Sequence, residues 1–195
     1  MNTFNDGEFQ KISSEFNTEP IQKEIVIEYS TSGFFGKVKK SVLSDRRGEV
    51  AFCVIRPNGK IITVTCEEYP KGIFRIPTGG IGHKEDIIEA VHREAKEELG
   101  LDTRIESFLG VLKIKFVYDN ESVMFYSYLF VLKELGGRLL EDATDNEVSE
   151  VREVNLTELQ EIADFLLAIE GKWNDWGRFR FETTNAFLKY FTDLD

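Results

Sequence analysis

Apolar positions along this chain fall into runs of two periods, and their order sketches a fold. From Ile25 the segments IVIEYST, FFGKVKKSVL and EVAFCVI read as β-like, and the last runs into the turn Arg56-Pro57-Asn58-Gly59. Asn-Gly tolerates the positive φ of a tight turn and is a strong hairpin signal, so KIITVTCEEY is expected as the returning strand. Two long β-like runs, RIESFLGVLKIKFVYD and SVMFYSYLFVLKEL, are separated by Asn120 and Glu121 and predict a second hairpin, and VREVN predicts a short further strand.

The period changes between Ile87 and Leu99. Ile88, Val91, Ala95 and Leu99 recur at three or four residues, which predicts a helix over about Glu85 to Leu99, ended by Gly100 at a position that favours glycine. Thr157 and Gln160 have capping-box spacing for a helix running to about Ile169, and TNAFLKYF predicts a final amphipathic helix. Residues 1 to 22 are polar with scattered Phe4, Phe9 and Phe16, show no clear period, and read as a partly ordered extension. The sum is an α+β fold, a mixed sheet with helices on its faces. The expected division is an N-terminal extension over 1–45 with β-like segments that are candidates to pair across a homodimer, a main domain over 46–170, and a C-terminal aromatic loop and helix over 171–195 packed on it.

Composition narrows the class. The 195 residues are 42% hydrophobic, enough for a substantial core, and the formal charge of -11 repels long polyanions. Long nucleic acid is therefore an unsuited partner, whereas a small phosphorylated ligand remains compatible because divalent cations held by carboxylates invert the local sign of charge. Cys53 and Cys66 lie in β-like runs without CxxC spacing and read as free thiols. Neither a basic leader followed by an apolar stretch nor a membrane-length apolar run is present, so a cytoplasmic protein without a membrane partner is expected.

On the predicted central helix, Glu94, Glu97 and Glu98 lie at i, i+3 and i+4, away from the apolar stripe. Like charges so spaced repel, and Arg93 alone does not neutralise them, so the cluster calls for a cation. Hard oxygen ligands suit Mg²⁺ or Mn²⁺. The same residues belong to a longer pattern: Gly79, five residues, Glu85, seven residues, Arg93-Glu94-Ala95, one residue, Glu97-Glu98, one residue, Gly100-Leu101.

This pattern resembles the signature of the Nudix hydrolases at eight of nine positions, the departure being Ala95, where the family carries a larger aliphatic residue. With residue frequencies near 7%, the seven strictly typed positions coincide by chance on the order of once in 10⁸ starts. The approach Ile76-Pro77-Thr78-Gly79-Gly80 looks like the family's as well. The resemblance implies an α/β/α sandwich and a diphosphatase, in which a metal-activated water attacks one phosphorus of a nucleoside diphosphate derivative such as a nucleotide, nucleotide sugar or dinucleoside polyphosphate. It further implies that Glu97 and Glu98 ligate the metal, that Glu94 is a ligand or water activator, that the Gly79 carbonyl contributes, and that Arg93 and Glu85 orient and steady the site. Glu147, with Glu150 nearby in the acidic loop, stands where family members place an additional base or ligand.

Substrate contacts are read from other residues. Arg46 and Arg47 offer planar paired donors to phosphate. Tyr118 resembles the downstream Tyr of dinucleoside polyphosphate hydrolases, or is a strand aromatic packed in its hairpin. Lys37, Lys39 and Lys40 read as a charged strand edge, Trp173 and Trp176 as a base-stacking pair or as packing, and His83 and His92 as exposed polar residues. Two rival functions are a non-catalytic nucleotide-sensing or protein-binding Nudix module, against which the intact carboxylates stand, and isoprenoid diphosphate isomerisation, which Cys53 and Cys66 on strand interiors fit poorly.

Overall fold

The computed structural model describes residues 3–16, 19–44 and 46–193. Its elements are α1 (Asp6–Phe16), β1 (Ile21–Glu28), α2 (Ser32–Ser44), β2 (Arg46–Ile55), β3 (Ile61–Thr65), β4 (Thr78–Gly82), α3 (Ile87–Leu99), β5 (Leu101–Tyr118), β6 (Glu121–Gly137), β7 (Glu150–Val154), α4 (Leu156–Ala168) and α5 (Asn174–Thr192), the last preceded by a 3₁₀ turn at Gly171–Trp173. The strands form one mixed sheet in the order β1-β5-β6-β2-β3-β7, with β4 paired to β2 beside that path. β1 runs parallel to β5 and β2 parallel to β6, and the other pairs are antiparallel.

Alternation along β2 separates two cores. Val50, Phe52 and Val54 face a cluster that includes Phe9 and Ile12 of α1 and Ile87, Val91, Ala95 and Leu99 of α3. Ala51 and Cys53 face the opposite cluster, which holds Phe35 and Val42 of α2, Leu159 and Leu166 of α4, and Phe179 and Phe187 of α5. The sheet is thus sandwiched between α1 and α3 on one face and α2, α4 and α5 on the other, the expected three layers.

Several local expectations are corrected. The N-terminal region carries a helix, α1, started by the Asn5 side chain, which accepts from Glu8 N at 3.1 Å; Phe9, Ile12 and Phe16 form its apolar stripe at three- and four-residue spacing. Residues 1, 2, 17 and 18 of that stretch, together with 45, 194 and 195, lie outside the described residues. FFGKVKKSVL is helical, because Phe35, Val38 and Val42 share one face that packs on the sheet. The long hairpin turns at Asp119 and Asn120, since Tyr118 pairs with Glu121, and Asp119 takes the left-handed φ of 53° that short polar residues tolerate. The capping box of α4 is Asn155 with Glu158, two residues before the expected one, with both reciprocal hydrogen bonds present at 2.8 and 2.9 Å.

Candidate active site

β4 is short and rich in glycine, and α3 crosses it closely. Gly79 is the β2 partner of Val50, so a side chain on it would face α3. An added Cβ would lie 2.0 Å from Glu94 Cγ, so the close approach of strand and helix depends on glycine here.

α3 is fixed at both ends. Asp86 caps its start by accepting from Ile88 N at 2.8 Å. Gly100 closes it in the left-handed region, φ 75°, where a Cβ would meet Ala143 N at 2.6 Å. The last carbonyls of a helix need outside donors, and the acidic loop supplies them: Leu140 N donates to Leu99 O at 2.9 Å, and Thr144 N and Asp145 N donate to Glu97 O at 2.9 and 3.2 Å. That docking brings Glu147 to the mouth of a cleft of about 280 Å³, shared with Gly79, Gly80, Arg46, Glu94 and Glu98.

Arg93 ties the carboxylates together. Its Nε and Nη2 donate to Glu85 Oε1 and Oε2 at 2.6 and 3.0 Å, Nη2 also donates to Gly80 O at 2.9 Å, and Nη1 reaches Glu97 Oε2 at 2.8 Å and Glu94 Oε1 at 2.9 Å. Glu85 Oε2 in turn accepts from Gly82 N at 2.8 Å. The paired bonds from Arg93 hold the Glu85 carboxyl below its usual range.

Glu98 is in a different situation. It is 2% exposed, and its Oε2 is buried without a hydrogen-bond partner among the described residues. Burial pushes its carboxyl up to about 8; Arg75 opposes the shift, while Glu94, Glu147 and Asp145 add to it. Glu94, 8% exposed, is raised by burial as well, with Arg93 opposing. As the side chains stand, no three His, Cys, Asp or Glu groups among the described residues converge closely enough to hold a metal ion, Glu97 being turned toward Arg93. The donor set nonetheless fits one: the cleft is lined by four carboxylates, Glu85, Glu94, Glu98 and Glu147, against two guanidiniums, Arg46 and Arg93, and Glu98 Oε2 has no hydrogen-bond partner among the described residues, an arrangement that a divalent cation would complete.

The family model of the NUDIX domain matches residues 45–176. The chain belongs to the Nudix family. It is 36% identical over 87 residues to an ADP-ribose pyrophosphatase of Methanocaldococcus jannaschii, covering 44% of this chain and 50% of that protein. It is 27% identical over 154 residues to Nudix hydrolase 2 of Arabidopsis thaliana, covering 77% and 48%. The chain thus spans about half the length of the curated relatives it matches. Among solved structures, an ADP-ribose pyrophosphatase from Streptococcus suis aligns at 15% identity and a TM-score of 0.47 over 73% of this chain and 89% of that one.

The Nudix helix, α3, and its approach strand bring together Gly79, Glu85, Arg93, Glu94, Glu97 and Glu98, and the acidic loop adds Glu147. The arginine pair divides. Arg46 lines the cleft and its guanidinium crosses Gly80, where a Cβ would sit 2.9 Å from its Cζ. Arg47 leaves the strand on the other face, where both of its terminal nitrogens bind Glu8 of α1 at 2.7 Å and Nη2 also donates to Glu85 O. Tyr118 is not brought to the cleft; it packs on Phe35 at 5.7 Å between ring centres, at the far end of the long hairpin. Trp173 packs edge-to-face on both Trp176 and Tyr69, and Trp176 meets Tyr69 at a tilt with ring centres 4.6 Å apart. A more apolar hollow of about 450 Å³ between β5 and the second half of α5 shares no residue with the cleft.

Sequence reasoning passed over Thr78, which lines the cleft, and Arg75, whose buried charge faces Glu98. Both adjoin the signature and were within reach of a reading that asked what lies beneath the acidic helix.

Proposed function

We propose that this protein hydrolyses the diphosphate linkage of a nucleoside diphosphate derivative with the help of Mg²⁺ or Mn²⁺. The observation that carries the reading is the buried Glu98 carboxyl, one oxygen of which has no hydrogen-bond partner among the described residues, gathered with Glu94 and Glu147 around a small polar cleft. Glu94, Glu97 and Glu98, with the Gly79 carbonyl, are the groups that would hold the cation. A bound cation supplies positive charge to the diphosphate oxygens and to the oxygens entering and leaving phosphorus.

The chain's own residues do the rest. Glu147, exposed at the cleft mouth, accepts the proton of the attacking water, a role for which Glu94 is the alternative. Arg93 holds Glu94 and Glu97 in place and Glu85 anchors Arg93 to the β4 backbone. Arg46 binds a phosphate oxygen from the β4 side. Arg47 contributes indirectly by bracing Glu85 and α1.

No helix among the described residues is long and apolar enough to cross a membrane. Two free cysteines agree with a reducing compartment, and we place the reaction in the cytoplasm.

The test is a panel of nucleoside triphosphates, nucleotide sugars, ADP-ribose and dinucleoside polyphosphates, incubated with Mg²⁺ or Mn²⁺ in ¹⁸O-labelled water. Turnover of at least one member with label in a phosphate product is expected. Folded protein that binds metal yet turns over none of them would refute the reading.

A further inference from the structure

Six Ser and Thr residues are buried among the described residues: Ser13, Thr63, Thr78, Ser127, Thr183 and Thr184. Five of their hydroxyls donate within the protein, Ser13 to Phe9 O at 2.7 Å, Thr63 to Arg152 O at 3.0 Å, Ser127 to Glu49 Oε1 at 2.7 Å, and Thr183 and Thr184 each to Arg180 O at 2.9 Å. Thr78, 6% exposed, is the exception: its hydroxyl makes no hydrogen bond to any described residue. It is also not sealed from solvent as Thr103 Oγ1 and Glu98 Oε2 are, and the residue lines the cleft. Buried donors are ordinarily satisfied, so one left open beside a cleft is placed to bond what enters it.

The β4 strand gives this hydroxyl a charged neighbour. A side chain on Gly79 would face α3, so Thr78 and Gly80 face the other way, and Ala51, the β2 partner of Thr78, belongs to the core on that opposite face. The Arg46 guanidinium lies over Gly80, two positions from Thr78 and thus about 6.6 Å along the same side of the strand. Both residues line the cleft. Glu94 stands against Gly79 on the α3 side, with Glu98 one turn further along that helix. Across the two glycines the cleft therefore passes from buried acids to a guanidinium and a hydroxyl. A diphosphate carries negative oxygens on both phosphorus atoms, and those turned away from α3 meet these two donors.

We infer that Thr78 is a substrate-binding residue, its hydroxyl donating to a non-bridging oxygen of the diphosphate beside Arg46. The inference rests on the diphosphatase reading and deepens it by giving Arg46 a partner in holding the diphosphate. Threonine suits the role because branching at Cβ restricts χ1, so the hydroxyl keeps its direction without an internal hydrogen bond.

Thr78→Val keeps the shape of the side chain and removes the donor, whereas Thr78→Ser keeps the donor. The experiment measures, by calorimetry with Mg²⁺ present, the binding of methylenediphosphonate, a diphosphate whose bridge water cannot split, to the wild-type protein and both variants. Thr78→Val should bind it at least tenfold more weakly than the wild-type protein, and Thr78→Ser should recover most of that loss. On whichever nucleoside diphosphate derivative the wild-type protein cleaves, kcat/KM should fall and recover in the same order. The Tm of Thr78→Val without ligand should equal or exceed that of the wild-type protein, because no internal hydrogen bond is lost. A lower Tm, equal affinity in the wild-type and valine proteins, an equal loss in both variants, or no binding by the wild-type protein would overturn the inference. Wild-type protein that binds methylenediphosphonate and cleaves no substrate refutes the diphosphatase reading alone, and the binding order of the three proteins still decides the role of Thr78.

Discussion

Gly79 and Glu94 approach so closely that a Cβ on the glycine would sit 2.0 Å from Glu94 Cγ. The strand before the Nudix helix therefore acts as a template for the carboxylate above it: the absence of one side chain sets where another lies. Gly79→Ala should push Glu94 outward and lower kcat by about a hundredfold, the scale of a misplacement of roughly 1 Å in a catalytic group. Steady-state kinetics beside a thermal melt check this. A variant with wild-type kcat would show that Glu94 does not need its position.

Arg93 is bonded to Glu85, Glu94, Glu97 and the Gly80 carbonyl at once. Lysine carries the same charge on a single nitrogen and cannot make the fork to Glu85. Arg93→Lys should cost turnover by about two orders of magnitude, again through misplacement, with Glu97 the group released. A loss confined to KM would instead assign Arg93 to substrate binding.

Away from the site, Glu153 of β7 accepts from Asn58 at 2.8 Å and pairs with Arg56, which also holds Glu134 of β6. The Asn58 bond, aided by the Arg56 charge, lowers the Glu153 carboxyl. A depressed carboxylate stabilises the fold above its unfolded value near 4.3, and that contribution fades as pH falls through the lower folded value. Because the Glu153 side chain is 30% exposed, the effect should be at most about 1 kcal/mol. The Tm difference between wild-type protein and Glu153→Gln should thus be present at pH 6 to 7 and close below about pH 4. A constant difference across that range would contradict the assignment.

What the sequence made legible follows from how far apart the interacting residues lie. The carboxylates of α3, the capping glycine and the approach loop sit within one short span, so spacing alone groups them, and the family match covers that span. α2 was hidden because FFGKVKKSVL carries aromatic and branched residues that also suit a strand; only the three- and four-residue spacing of Phe35, Val38 and Val42 reveals its helical face. Arg46 and Arg47 look equivalent in sequence, and the alternation of side chains along a strand sends them to opposite faces, one to the cleft and one to Glu8 of α1. Glu49 and Arg180 meet across 131 positions, a pairing that no local pattern announces.

The central claim is that buried carboxylates on α3 hold a divalent cation, and calorimetric titration of Mn²⁺ into metal-free protein tests it most directly. Glu98→Gln removes an acid whose ionised form burial disfavours and whose Oε2 has no hydrogen-bond partner among the described residues, so its Tm without metal at neutral pH should equal or exceed that of the wild-type protein. The wild-type protein should bind Mn²⁺, and Glu98→Gln should bind it at least about tenfold more weakly, a change of roughly 1.4 kcal/mol. Equal Mn²⁺ affinity in the two proteins, with both folded, would contradict the account.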